Sequence, residues 1–280
     1  MKNILLLPII LFAFVSCSTQ VMKRGVANQI DPAVEQSVAC AALFEIPKID
    51  SMEKVVCRTG YAITFDTTNH LAKWVSYNLS KEKLDHPVAE RAKTFSKDPD
   101  FESSTPAQYR KSGYHQGHLA PAADMRWSIQ AMNESFYHGN ITPQLPHLNV
   151  GVWKKLEDQV RMWAMEYGEI YITTGPVLES QLNKLPGTEV SLPKRFYKVI
   201  LEKNGPEVRA IGFVIPQEYT GDLNSFVVSV DEVERLTGID FFAGLPDDIE
   251  NAVEASADIA KWVSHKNNPA RVMASKPTSR

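Results

Sequence analysis

The sequence predicts an α+β domain with an antiparallel central sheet. Three observations carry that expectation. β-rich runs come in pairs joined by turns, one strongly amphipathic helix lies mid-chain, and neither an internal repeat nor a strand–helix–strand rhythm occurs. Gly60 to Phe65 and His70 to Leu79 read as two strands of a hairpin around the turn at Asp66 to Asn69. Lys81 to Gln108 is charged and carries Pro87, Pro99 and Pro106, which marks an extended loop. Met132 to Gly139 is a short helix or turn. Val150 to Tyr167 is the clearest helix: Trp153, Leu156, Val160, Trp163, Ala164 and Tyr167 form one apolar stripe, Asn149 stands at the N-cap and Gly168 at the end. Ile170 to Thr174 reads as a strand. Arg195 to Leu201 and Val208 to Ile215 follow as two more, on either side of Lys203-Asn204-Gly205. Ser229 to Leu236 and Leu245 to Trp262 have helical character.

The ends of the chain read differently. Lys2, an apolar run from Ile4 to Val15 and Ser16 before Cys17 have the layout of a signal peptide over residues 1–17, and the run is too short to span a membrane. Phe14-Val15-Ser16-Cys17 resembles a lipobox, although an aliphatic residue is usual where Phe14 stands. It implies a lipid on Cys17 and a membrane partner; plain secretion is the alternative. Residues 18–38 read as a tether, 39–262 as the globular domain and 263–280 as a basic tail. Cys40 and Cys57, an even pair in an exported chain, suggest one disulfide, with two buried thiols as the other reading.

Of the 280 residues, 44% are hydrophobic and 22% charged, ordinary for a soluble domain and far from disordered composition. The net charge of −3 argues weakly against nucleic-acid binding, but charge is segregated. Asp231 to Asp258 is acid-rich, and Lys261 to Arg280 carries five Lys and Arg and no acids.

Four of the seven histidines, His115, His118, His138 and His147, fall in one short stretch with Asn140 and Asn149. Phosphodiester cleavage needs a base of near-neutral pKa, which His supplies, and a hard divalent cation to offset phosphate charge. His118 follows Gly117 and precedes Ala120-Pro121-Ala122, a rigid setting for such a base. Asn149 offers a neutral oxygen. Glu157 sits beside the apolar stripe, where a carboxylate needs a partner.

Tyr114 to Met125, Asn140-Ile141-Thr142-Pro143-Gln144, Leu148 to Trp153 and Leu156-Glu157 together resemble the DNA/RNA non-specific endonuclease family, with its Asp-Arg-Gly-His signature, downstream Asn-Ile-Thr-Pro-Gln and Asn–helix–Glu element. The likeness runs from about Cys57 to Ile215. It implies a ββα-metal nuclease fold, a central antiparallel sheet flanked by helices, and hydrolysis of DNA and RNA with little sequence preference. It assigns His118 as general base, Asn149 as ligand of magnesium (or manganese), Glu157 to the outer shell of that ion and Asn140 to the catalytic network. It also places Lys198 in a strand typical of the family, here expected to meet substrate. The signature's Asp-Arg is His115-Gln116 in this chain. Gln116 keeps donors for substrate but loses the charged fork of Arg, a loss that Arg126 is expected to cover. His115 reads as a hydrogen-bonding scaffold residue; His138 and His147 read as surface or loop positions. Two rival readings remain open: a zinc site built from His115, His118, His138 and His147, and a nucleic-acid-binding module that has lost turnover with the Arg.

Overall fold

The computed structural model describes residues 40, 44–49 and 53–262; the expected signal peptide, tether and basic tail lie outside them. A seven-stranded antiparallel sheet runs in the order β1-β2-β3-β6-β7-β8-β9. Its strands are β1 (Val55–Cys57), β2 (Ala62–Asp66), β3 (Leu71–Ser80), β6 (Glu169–Pro176), β7 (Arg195–Glu202), β8 (Arg209–Pro216) and β9 (Val227–Val228). The expected hairpin is β2–β3. A separate ribbon pairs β4 (His115–His118) with β5 (Ile141–Gln144). Helices α1 (Lys81–Asp85) and α2 (Pro106–Tyr109) punctuate the loop read as extended, and α3 (Ile129–Ser135) precedes β5.

Side-chain alternation explains why both faces of the sheet are covered. In β7, Phe196 and Ile200 join the core that contains Trp153, Leu156, Val160 and Trp163 of α4 (Trp153–Tyr167). Tyr197, Val199 and Leu201 join the opposite core with Val230 and Val233 of α5 (Val230–Thr237). The α4 stripe is therefore a core stripe, as its spacing requires. α6 (Asp247–Glu254) follows α5.

Helix boundaries depart from expectation in two places. A π-type turn, Leu148–Val152, precedes α4, with Gly151 at non-helical φ −104°, ψ −114°. Val152 is the N-cap, so Asn149 lies within the turn, three residues before the cap, and its side chain is spared for other work. The long helix expected over Leu245 to Trp262 ends at Glu254, and a 3-10 turn, Ile259–Trp262, follows. Asp258 Oδ1 accepts from Ala260 N at 2.9 Å, the local side-chain bond that starts a new turn instead of continuing the old helix.

Cys40 and Cys57 are joined in a disulfide with Cα atoms 5.8 Å apart, which ties residue 40 to edge strand β1. Closing a loop of this size restricts the unfolded chain by about 3 kcal/mol. Cys40→Ser, or reduction, is expected to lower unfolding free energy by roughly that amount in urea titration; an unchanged midpoint would mean that the bridge is energetically idle.

Candidate active site

β4, β5 and α4 form a ββα unit in which His118 pairs with Ile141 across the ribbon. Gly117 is required here by close approach: a Cβ would stand 2.3 Å from the buried Gln144 side chain. Asn140 locks the strand leaving His118. Its Oδ1 accepts from Ala120 N at 2.9 Å, and its Nδ2 donates to Ala120 O and Ser135 O at 2.9 and 2.8 Å. It is 0% exposed with its amide fully engaged, so it positions the His118 strand and does not itself meet substrate.

His118 is 8% exposed. Its ring lies against Phe95 and Phe136 at 5.4 and 4.9 Å, and Nε2 is buried without a hydrogen-bond partner. Burial, and after it the charges of Arg91 and His138, push its pKa down to about 3, so the imidazole is neutral and free to accept a proton. Arg91 stacks on Phe136 at 5.2 Å. Its loop is pinned on one side by Val88 N and Ala89 N to Arg126 O, and on the other by Ser96 N to Phe136 O and His138 N to Ser96 O.

His138 is buried, contrary to the surface or loop position expected, because both ring nitrogens have partners. Gln116 Nε2 lies 2.9 Å from Nε2, and Ser104 Oγ 2.8 Å from Nδ1. Burial lowers its pKa to about 4. Gln116 is thus held by His138 beside the cleft, in place of a free fork on phosphate. Arg126 is exposed and turns to Ala89 O at 3.3 Å. The cations of the cleft are instead Arg91 and Arg110, which line an open depression of ≈ 370 Å³ with Phe95, His115, Gln116 and Asn149.

Lys198 departs furthest from expectation. It is 0% exposed and cannot touch nucleic acid in this fold. On β7 it lies between Phe196 and Ile200 on the α4 face, its Nζ 5.0 Å from the Trp153 ring and without a hydrogen bond. Burial lowers its pKa to about 8, opposed by Glu157 and Asp124. Burial likewise raises Glu157 to about 8, opposed by Lys198. Asp124, itself buried, accepts from Arg161 Nη1 at 2.7 Å and Tyr77 OH at 3.1 Å. Glu157, Asp124, Lys198 and Arg161 form one charge cluster between sheet and α4.

Asn149 Nδ2 lies 3.2 Å from His115 Nδ1, which bears out His115 as a scaffold residue, and among the described residues the Asn149 oxygen takes no hydrogen bond. Glu157 also makes none. This donor set, an amide oxygen and an under-compensated carboxylate, fits a hard cation that keeps most of its waters. A zinc site finds no support. His147 is exposed, His138 has both nitrogens in use, and the four histidines do not converge as ligands among the described residues. Sequence reasoning missed Arg91, Arg161 and the Gln116–His138–Ser104 chain; only the charge of Arg91 within a proline-rich loop hinted at a phosphate contact.

The depressed histidines have a pH consequence. Their folded pKa values lie below the unfolded value of about 6.5, so their stability contribution is present above pH 6.5 and is lost as pH falls toward 4. His118→Gln is expected to remove about 1.4 kcal/mol per pH unit of that acid sensitivity below pH 6. Urea unfolding at pH 7, 6 and 5 measures it; parallel curves for variant and wild type would contradict the neutral assignment.

Residues 45–248 match the DNA/RNA non-specific endonuclease family. The chain is 32% identical over 216 residues to the mitochondrial endonuclease G of Homo sapiens, covering 69% of this chain and 71% of the relative. To the nuclease of Serratia marcescens it is 31% identical over 218 residues, covering 73% and 80%. To that of Nostoc sp. it is 29% identical over 256 residues, covering 83% and 92%. The crystal structure of an EndoG/EndoGI complex aligns with TM-score 0.67 at 27% identity, over 74% of this chain and 92% of that one. With its ββα unit, buried histidine and antiparallel sheet, the chain belongs to the DNA/RNA non-specific endonuclease family, whose members are metal-dependent phosphodiester hydrolases.

Proposed function

We propose that this nuclease cleaves DNA and RNA with His118 as general base, a magnesium or manganese ion held through Asn149, and Arg91 and Arg110 gripping the phosphate. The observation that carries this reading is the neutral, unpartnered imidazole of His118 beside Phe95, which also lines the arginine-bearing cleft. His118 takes the proton of the attacking water as the water–phosphorus bond forms and the bond to the 3′-oxygen breaks, leaving a 5′-phosphate. The bound cation supplies charge stabilisation to the phosphoryl group and the departing oxygen. Burial makes His118 a weak base in the free enzyme. Substrate phosphate brings negative charge that opposes the effect of Arg91 and raises its basicity when it is needed. Asn140 holds the base, and Glu157 holds water of the cation's outer sphere.

Digestion of plasmid and of RNA by the chain from Ser18 onward, with magnesium and with EDTA, tests the proposal. His118→Ala is expected to lose about 10²- to 10⁴-fold in kcat with the fold kept. Arg91→Ala is expected to lose about 10- to 100-fold in kcat/KM, chiefly through KM. Undiminished cutting by His118→Ala would reject the base; no cutting by wild type under several divalent ions would favour the binding-module reading.

We also propose export with a lipid on Cys17. The signal-like segment and the Cys40–Cys57 disulfide support it, since disulfides persist in oxidising compartments. Cys17→Ser is expected to move the protein from the membrane fraction to the soluble fraction; a wild-type protein already in the soluble fraction would leave plain secretion.

A further inference from the structure

The acid-rich segment noted in the sequence takes no part in the nuclease site. It packs on the opposite face of the sheet, where Val230 and Val233 of α5 share a core with Tyr197 and Val199. Asp231 and Glu234 stand three residues apart on α5, hence on one face, and Glu254 is the last residue of α6. One carboxylate oxygen of each lies within 4.8 Å of the others.

Proximity of three acids alone would mean little on a solvated surface. Here Glu254 is 5% exposed and, among the described residues, its buried Oε1 has no hydrogen-bond partner. Glu234 is held in place because its Oε1 accepts from Phe241 N at 2.7 Å. Among the described residues the neighbouring cations are committed elsewhere: Lys48 pairs with Asp240 at 2.9 Å, and Arg235 with Glu232. Burial, with the charges of Glu234, Glu250, Asp231 and Asp240, drives the Glu254 carboxyl up to about 8. The cluster holds concentrated negative charge, and a buried acceptor that the protein leaves unmatched.

We propose that Asp231, Glu234 and Glu254 bind a calcium ion that clamps α5 to α6. Calcium accepts several carboxylates at 2.3–2.6 Å, so oxygens that share one calcium ion lie within about 5 Å of one another, as these three do. Magnesium binds at shorter distance, retains several waters and is seldom caged by this many protein carboxylates. Occupancy replaces carboxylate repulsion by attraction and satisfies the orphaned oxygen of Glu254. Because the site lies across the sheet from His118, calcium stabilises the C-terminal helices without entering the reaction.

The test is thermal unfolding of the full chain carrying Asn149→Ala, which removes the nuclease-site ligand and so separates this proposal from the preceding one. Calcium at 5 mM is expected to raise Tm by roughly 5 °C over EDTA. Asp231→Asn is expected to abolish the rise. Glu254→Gln is expected to abolish it while raising the calcium-free Tm, because it removes the repelled charge. With Asn149 intact, both variants are expected to digest nucleic acid at the wild-type rate in magnesium. No rise in the parent, an equal rise with magnesium, or a rise kept in Asp231→Asn and Glu254→Gln would overturn the assignment.

Discussion

A buried ammonium governs the organisation of this fold. Lys198 sits on the interior strand β7, covered by Trp153 and wholly removed from solvent, with no hydrogen-bond partner among the described residues. A lone buried cation is costly, and the protein meets that cost with negative charge placed opposite: Glu157 from α4 and Asp124 from the segment after β4. Arg161, one helical turn after Glu157, then balances Asp124 and Asp158. The cluster therefore fixes how α4 lies on the sheet, and with it the position of Glu157 relative to the ribbon that carries His118.

On that frame the reactive group is prepared by burial. Phe95 and Phe136 pack against the imidazole, Asn140 fastens the strand beneath it, and the Gln116–His138–Ser104 chain occupies the polar groups beside it. Positive charge reaches the site from Arg91 and Arg110, Arg91 standing in a loop tied down on both sides. Neutral base, exposed cations and an amide oxygen are thus held by different elements, and each can be altered without dismantling the others.

Sequence periodicity revealed the parts that depend on local pattern. The α4 stripe and the β2–β3 hairpin were plain because burial repeats at helical and strand spacing. His118 and Asn149 were legible through linked motifs. Lys198 misled, since lysine is ordinarily exposed and only the double-sided burial of β7 reveals otherwise. The burial of His138, which reads from the sequence as a surface or loop position, depends on partners, Gln116 and Ser104, that lie 22 and 34 residues away in sequence. Arg91 was hidden for a related reason: a loop side chain's destination is set by tertiary anchors, here Arg126 O and Phe136 O, which carry no periodic signal. The replacement of the family arginine by Gln116 becomes intelligible only with His138 in view.

The division of labour between a base that does not touch metal and an amide that does is the central claim. Manganese binding followed by electron paramagnetic resonance, alongside single-turnover cleavage, tests it directly on His118→Ala and Asn149→Ala. The account predicts that His118→Ala binds manganese like wild type yet loses turnover, while Asn149→Ala loses both. Loss of manganese binding in His118→Ala would make the histidine a ligand and contradict the account.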